Sequence, residues 1–130
     1  MTKFDAIPDQ DEALAKQVIG AAIEVHRELG PGFLESIYRK ALAYELSLQG
    51  IQVVQENEIL VPYKEIHIPG QRLDLLVGGR IIVELKCVDE FGPIHQAQII
   101  SYLKATGLRL GLLVNFKTQL LKDGITRVVR

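Results

Sequence analysis

The run from Gly70 to Lys86, Gly-Gln-Arg-Leu-Asp-Leu-Leu-Val-Gly-Gly-Arg-Ile-Ile-Val-Glu-Leu-Lys, constrains the fold of this chain more than any other stretch. Apolar and β-branched residues flank paired glycines, which is the pattern of a β-hairpin. Two strands are expected, Leu73 to Val77 and Arg80 to Lys86. Neither Leu75-Leu76-Val77 nor Ile81-Ile82-Val83 alternates with polar residues. Strands without alternation are buried on both faces, in the middle of a sheet covered by helices. Asp74, Glu84 and Lys86 sit in that apolar setting. A buried carboxylate must neutralise, pair with a charge or bind a cation.

Glu84 and Lys86 are two residues apart and share one face of a strand. The side taken by Asp74 depends on the loop. A two-residue loop at Gly78-Gly79 pairs Val77 with Arg80 and turns Asp74 away from Glu84. A three-residue loop, Gly78-Gly79-Arg80, pairs Val77 with Ile81 and sets Asp74 opposite Glu84, about 5 Å apart at Cβ. A single bulge has the same effect. The three-residue loop or a bulge is the expectation, with the glycines supplying positive φ.

Around this hairpin the periodicity predicts two N-terminal helices, Asp9 to Leu29 and about Leu34 to Leu48. In the first, Asp9 reads as an N-cap with Glu12 three residues on, and Gly30-Pro31-Gly32 ends the helix. Gly50 stops the second. Ile51 to Tyr63 reads as an edge strand or one that bends, because Pro62 and Glu56-Asn57-Glu58 fall inside it. Glu65 to Pro69 is a short piece of sheet, and Pro69-Gly70 marks a break. A third helix runs from Pro93 to near Gly107. Leu108 to Phe116 is a buried strand parallel to the hairpin, and Ile125 to Val129 an antiparallel edge strand.

At 130 residues the chain is expected to form a single domain, 1-130, with a core that needs no disulfide. Its one cysteine, Cys87, suits a reducing, cytoplasmic setting and reads as a small apolar strand-end residue. No apolar run is long enough to span a membrane. The N-terminus Met-Thr-Lys-Phe-Asp-Ala lacks the apolar core of a signal peptide. The formal net charge of -1 does not announce a nucleic-acid partner, so any basic surface must be local. Arg72, Arg80, Lys104, Arg109, Lys117 and Lys122 are candidates. From Lys117 onward, Lys117, Lys122, Arg127 and Arg130 stand against Asp123.

Asp74, nine intervening residues and then Glu84-Leu85-Lys86 resemble the PD-(D/E)XK nuclease signature. The literal Pro-Asp is absent, since Leu73 precedes Asp74. Gly32-Phe33-Leu34-Glu35-Ser36-Ile37-Tyr38 resembles the Gly-x-x-Glu-x-x-Tyr motif of the GxxExxY family of such proteins. Gln98 and Tyr102, stacked on one helix face, are similar to the Gln-x-x-x-Tyr of RecB-like and lambda-exonuclease-like members.

The resemblance implies an α/β, restriction-endonuclease-like αβββαβ core, with a mixed central sheet flanked by helices and two helices ahead of it. It implies a metal-dependent nuclease that hydrolyses phosphodiester bonds in nucleic acid, DNA ranking ahead of RNA. Asp74 and Glu84 would ligate Mg²⁺ or Mn²⁺ with the Leu85 carbonyl, and Glu35 would complete or relay the coordination. His26 is a second choice for that role. Lys86 would orient the attacking water, and Gln98 and Tyr102 would position Lys86 or a phosphate. A homodimer is the default assembly. Two other readings stay open: a catalytically inactive binding or assembly module on the same fold, and a buried ion-pair network of Asp74, Glu84 and Lys86.

Overall fold

The structure is a computed structural model that describes residues 6–130. The N-terminal stretch read for a signal peptide lies outside the described residues, except for Ala6. The elements run α1 (Asp9–Leu29), α2 (Glu35–Leu48), β1 (Val53–Tyr63), β2 (Ile66–Val77), β3 (Ile81–Lys86), α3 (Pro93–Thr106), β4 (Leu110–Asn115) and β5 (Ile125–Val129). A 3-10 turn, Leu121–Gly124, precedes β5. The sheet order is β1-β2-β3-β4-β5. The β3–β4 pair is parallel and the other three are antiparallel. This is the mixed sheet with flanking helices that the pattern of elements predicts.

Helices cover both faces, which explains the unbroken apolar runs of β3 and β4. On one face Val18 and Ala22 of α1 and Leu42 and Leu46 of α2 pack with Leu75, Val77, Val83, Leu85, Leu112 and Val114. On the other, Ile99 and Leu103 of α3 pack with Ile82, Leu113 and Val128. Gly111 sets how closely α3 rests on the sheet: a Cβ there would stand 2.6 Å from Cγ2 of Ile99. Among the described residues no helix is long and apolar enough to cross a membrane.

Two local expectations need correction. Pro69-Gly70 does not break the sheet. β2 runs through it, and the register against β1 shifts by one residue between Ile59↔Gln71 and Val61↔Ile68. The extra residue is a bulge on β2, where proline's missing N–H costs no ladder bond and Gly70 supplies φ +111°. Asp9 does not cap α1 either; Pro8 holds that position, and no side chain caps it. The acids of the first turn work elsewhere. Asp11, 4% exposed, pairs with Arg80 of the hairpin loop, and Glu12 pairs with Arg127 of β5.

The α1–α2 connection shows what Tyr38 does. Its ring is fully buried, stacked on Phe116 with centroids 4.4 Å apart. Its hydroxyl donates to the Gly30 carbonyl and accepts from the Phe33 N–H, 3.2 Å away. The phenol thus clasps the loop Gly30–Phe33, in which Gly32 has φ +119°. Tyr38→Phe keeps the stack and orphans both backbone groups. It should cost roughly 1–3 kcal/mol, a fall in Tm of roughly 3–10 °C by circular dichroism. An unchanged Tm would show that the clasp contributes nothing.

Candidate active site

The hairpin has the three-residue loop. Val77 pairs with Ile81, Leu76 with Ile82 and Leu75 with Val83, across Gly78 and Gly79 at φ +59° and +68°. The next step of this register brings Asp74 to Glu84, and there side chains take over from the ladder. The Asp74 N–H donates to Oε1 of Glu84 at 2.9 Å, and the Leu85 N–H donates to Oδ2 of Asp74 at 2.8 Å. β2 turns over at this point, because Leu75 and Val77 face α1 and α2 while Leu73 packs on the α3 side. Across on β1, Glu56 has φ +50° between the pairs Gln55↔Leu75 and Asn57↔Leu73.

Glu84 is 3% exposed. Burial above all, and then the charge of Asp74, push its carboxyl up to about 8, against the opposing Asp74 N–H and the more distant Lys86. At neutral pH the pair therefore retains a proton.

Lys86 shares the face of Glu84, and its Nζ donates to Oε1 of Gln98 on α3 at 3.3 Å. One turn further along α3, the Tyr102 hydroxyl accepts from Nε2 of Gln71 at 2.7 Å. Burial and the charge of Glu84 raise the Tyr102 phenol, while hydrogen bonding with Gln71 and Gln98 opposes the rise. The sheet and α3 thus bring Asp74, Glu84, Lys86, Gln98 and Tyr102 to one corner. A cavity of about 290 Å³, lined by Gln71, Ile94, Ala97, Gln98, Ser101 and Tyr102, opens beside it.

Sequence reasoning missed Gln71 and Asn115. Gln71 lies beyond the Pro69-Gly70 bulge, and a chain read as broken there gives no reason to aim that side chain at α3. Asn115, 3% exposed, sits beside Lys86 in the β3–β4 register. Its amide accepts from the N–H groups of Val88 and Lys117, both at 3.1 Å, and donates to the Val88 carbonyl at 2.7 Å. It anchors the backbone just past Lys86. An Asn at the end of an apolar strand was the available signal.

The remaining expected residues make other contacts. Glu35, the exposed first residue of α2, raises the Cys87 thiol together with burial, the larger cause. That keeps Cys87 protonated, contrary to what a nucleophile needs. Gly32 and Tyr38 form the loop clasp described above. Nε2 of His26 donates to the Thr118 carbonyl at 2.8 Å and ties α1 to the loop after β4. Of the candidate basic residues, Arg80 is paired with Asp11, and Lys117 with Asp89 at 2.6 Å. With Arg127 held by Glu12, half of the basic C-terminal group already faces acids. Arg72, Lys104, Arg109 and Lys122 make no ion pair among the described residues.

The donor set at the corner fits a hard divalent cation. The buried Glu84 carboxyl and the half-buried Asp74 carboxyl adjoin and repel each other, no ion pair neutralises either, and the nearest ammonium is directed at Gln98. An oxygen-ligated ion would remove that conflict. Among the described residues no group of three or more His, Cys, Asp or Glu side chains forms a ready-made cage, so backbone oxygen or solvent would fill the remaining positions.

A family model described as the PD-(D/E)XK nuclease superfamily matches residues 12–128. In fold the chain is similar to the crystal structure of an alkaline exonuclease from Laribacter hongkongensis. The TM-score is 0.52 at 19% identity, covering 100% of this chain and 72% of that one. No curated protein matches the sequence. With a family model spanning nearly its whole length, the chain belongs to the PD-(D/E)XK nuclease superfamily.

Proposed function

We propose that this chain is a Mg²⁺- or Mn²⁺-dependent nuclease of the GxxExxY type, hydrolysing phosphodiester bonds in nucleic acid, with DNA the first substrate to test. The observation that carries the reading is the meeting of the Asp74 and Glu84 carboxyls beside Lys86, in a chain of a nuclease superfamily. Asp74, Glu84 and the Leu85 carbonyl would hold the ion, with Glu35 relaying from the Cys87 end of β3. When bound, such an ion supplies Lewis-acid polarisation of the scissile phosphate.

The chain's own groups do the rest. Lys86 orients the attacking water and stabilises negative charge growing on the phosphoryl oxygens. Gln98 fixes the direction of its ammonium group. Gln71 holds the Tyr102 hydroxyl, one turn along α3 from Gln98, and braces this side of the cavity. The fold neighbour's description as an exonuclease makes chain ends the first substrates to try.

The test is cleavage of labelled single- and double-stranded DNA and RNA with Mn²⁺, using Lys86→Ala as the control. Cleavage by the wild type alone is expected, and equal cleavage by the variant would contradict the reading. Gln71→Leu, which removes one brace, should lower kcat roughly tenfold with KM little changed, as for one lost hydrogen bond of about 1.4 kcal/mol. A pure KM effect would instead make Gln71 a substrate contact.

A further inference from the structure

Helix α2 carries two apolar surfaces, and the fold uses one of them. Tyr38, Leu42, Ala43 and Leu46 are buried in the core. Leu34 at the N-cap, Ile37, Tyr44 and Leu48, together with the half-buried Ala41 that also packs on the core, form a second stripe, with successive spacings of 3, 4, 3 and 4 residues from Leu34 through Ile37, Ala41 and Tyr44 to Leu48. A mean spacing of about 3.5 residues belongs to a seam that packs against another helix. Yet Leu34 is 74% exposed, Ile37 40%, Tyr44 66% and Leu48 62%. A helix that packs by one face ordinarily presents polar residues on the other, and contiguous exposed apolar surface marks a contact site.

The flanks of the stripe say what covers it. Lys40 borders one side and Glu45 the other, and neither makes an ion pair among the described residues. Five residues apart, they cannot meet within one helix. They hold the two positions that flank a heptad seam and form salt bridges between paired helices. In a parallel pair of identical helices the basic flank of each meets the acidic flank of the other. In an antiparallel pair like flanks meet. The complementary surface is thus the stripe itself, turned about a two-fold axis, with the small Ala41 at its centre allowing close approach.

We propose that α2 is a homodimer interface: two copies of the chain pack their α2 helices in parallel, Leu34, Ile37, Ala41, Tyr44 and Leu48 meeting their counterparts while Lys40 pairs with the partner's Glu45. The seam lies on the α1–α2 side of the sheet, opposite the α3 face that holds Gln98 and Tyr102, so this assembly does not depend on the nuclease reading.

The test is sedimentation equilibrium of the full chain from about 1 µM to about 1 mM, a range that brackets a short-seam dimer. The wild type should approach twice the monomer mass. Tyr44→Lys and Leu48→Glu should remain monomeric with unchanged circular dichroism, because both positions are exposed. Lys40→Glu should weaken association at least tenfold, and adding Glu45→Lys should restore it. A wild type that stays monomeric, or seam variants that associate as the wild type does, would overturn the interface. Failure of the double charge reversal to restore association would overturn the parallel arrangement.

Discussion

Glu84→Gln is expected to make the metal-free protein more stable at pH 8 while leaving it nearly unchanged near pH 4.5. The carboxyl of Glu84 is held up to about 8 in the fold, against 4.5 as its ordinary value. Between those values the unfolded chain releases the proton while the folded chain keeps it. Stability therefore falls as pH rises through this window and levels off above it. Glutamine has no proton to lose. It can still accept from the Asp74 N–H, and it presents an amide donor to the Asp74 carboxylate instead of a second negative charge. At pH 8 the variant should gain on the order of 3 kcal/mol, roughly 10 °C in Tm. Thermal melts of both proteins at the two pH values measure this directly. A variant that loses as much stability at pH 8 as at pH 4.5 would show that Glu84 is already ionised in the fold. The same substitution should weaken cation binding, so a residue that lowers apo stability would be the one the ion needs.

Lys86→Ala should have the largest effect on the reaction, a loss of roughly 10²–10⁴ in single-turnover cleavage at saturating Mn²⁺. Metal affinity should hold or rise slightly, because an ammonium beside Glu84 leaves with the side chain. That split separates a group acting on the phosphoryl oxygens and the water from one that only assembles the site. If cleavage and metal affinity fell together, Lys86 would belong to the scaffold. If neither changed, its bond to Gln98 would be incidental.

The hairpin was the legible part of this molecule. Only one of two registers places Asp74 against Glu84, and the glycine pair with Arg80 makes the loop that selects it. Helices α2 and α3 were readable from period and stop signals, and their packing onto buried strands followed from the apolar runs. What escaped depended on long-range geometry. Gln71 reaches Tyr102 because it stands two residues from Leu73 on the α3 side, in a strand that turns over at Asp74 and runs on through Pro69-Gly70, whereas a proline-glycine pair in sequence reads equally as a stop. Arg80, read as a surface cation, answers to Asp11, 69 positions away. Tyr38 resembled a family motif, but its hydrogen bonds run to its own loop, which places its role in the fold. The stripe on α2 was visible as apolar residues, yet separating the buried set from the exposed set took the packed sheet.

The most direct measurement is calorimetric titration of Mn²⁺ into the wild type and Asp74→Asn at pH 7, in buffers of differing protonation enthalpy. One binding event per chain should appear in the wild type, with release of about one proton as Glu84 ionises, and it should be absent from the folded variant. Equal binding by both proteins, or binding by the wild type without proton release, would contradict a cation held between these two carboxyls.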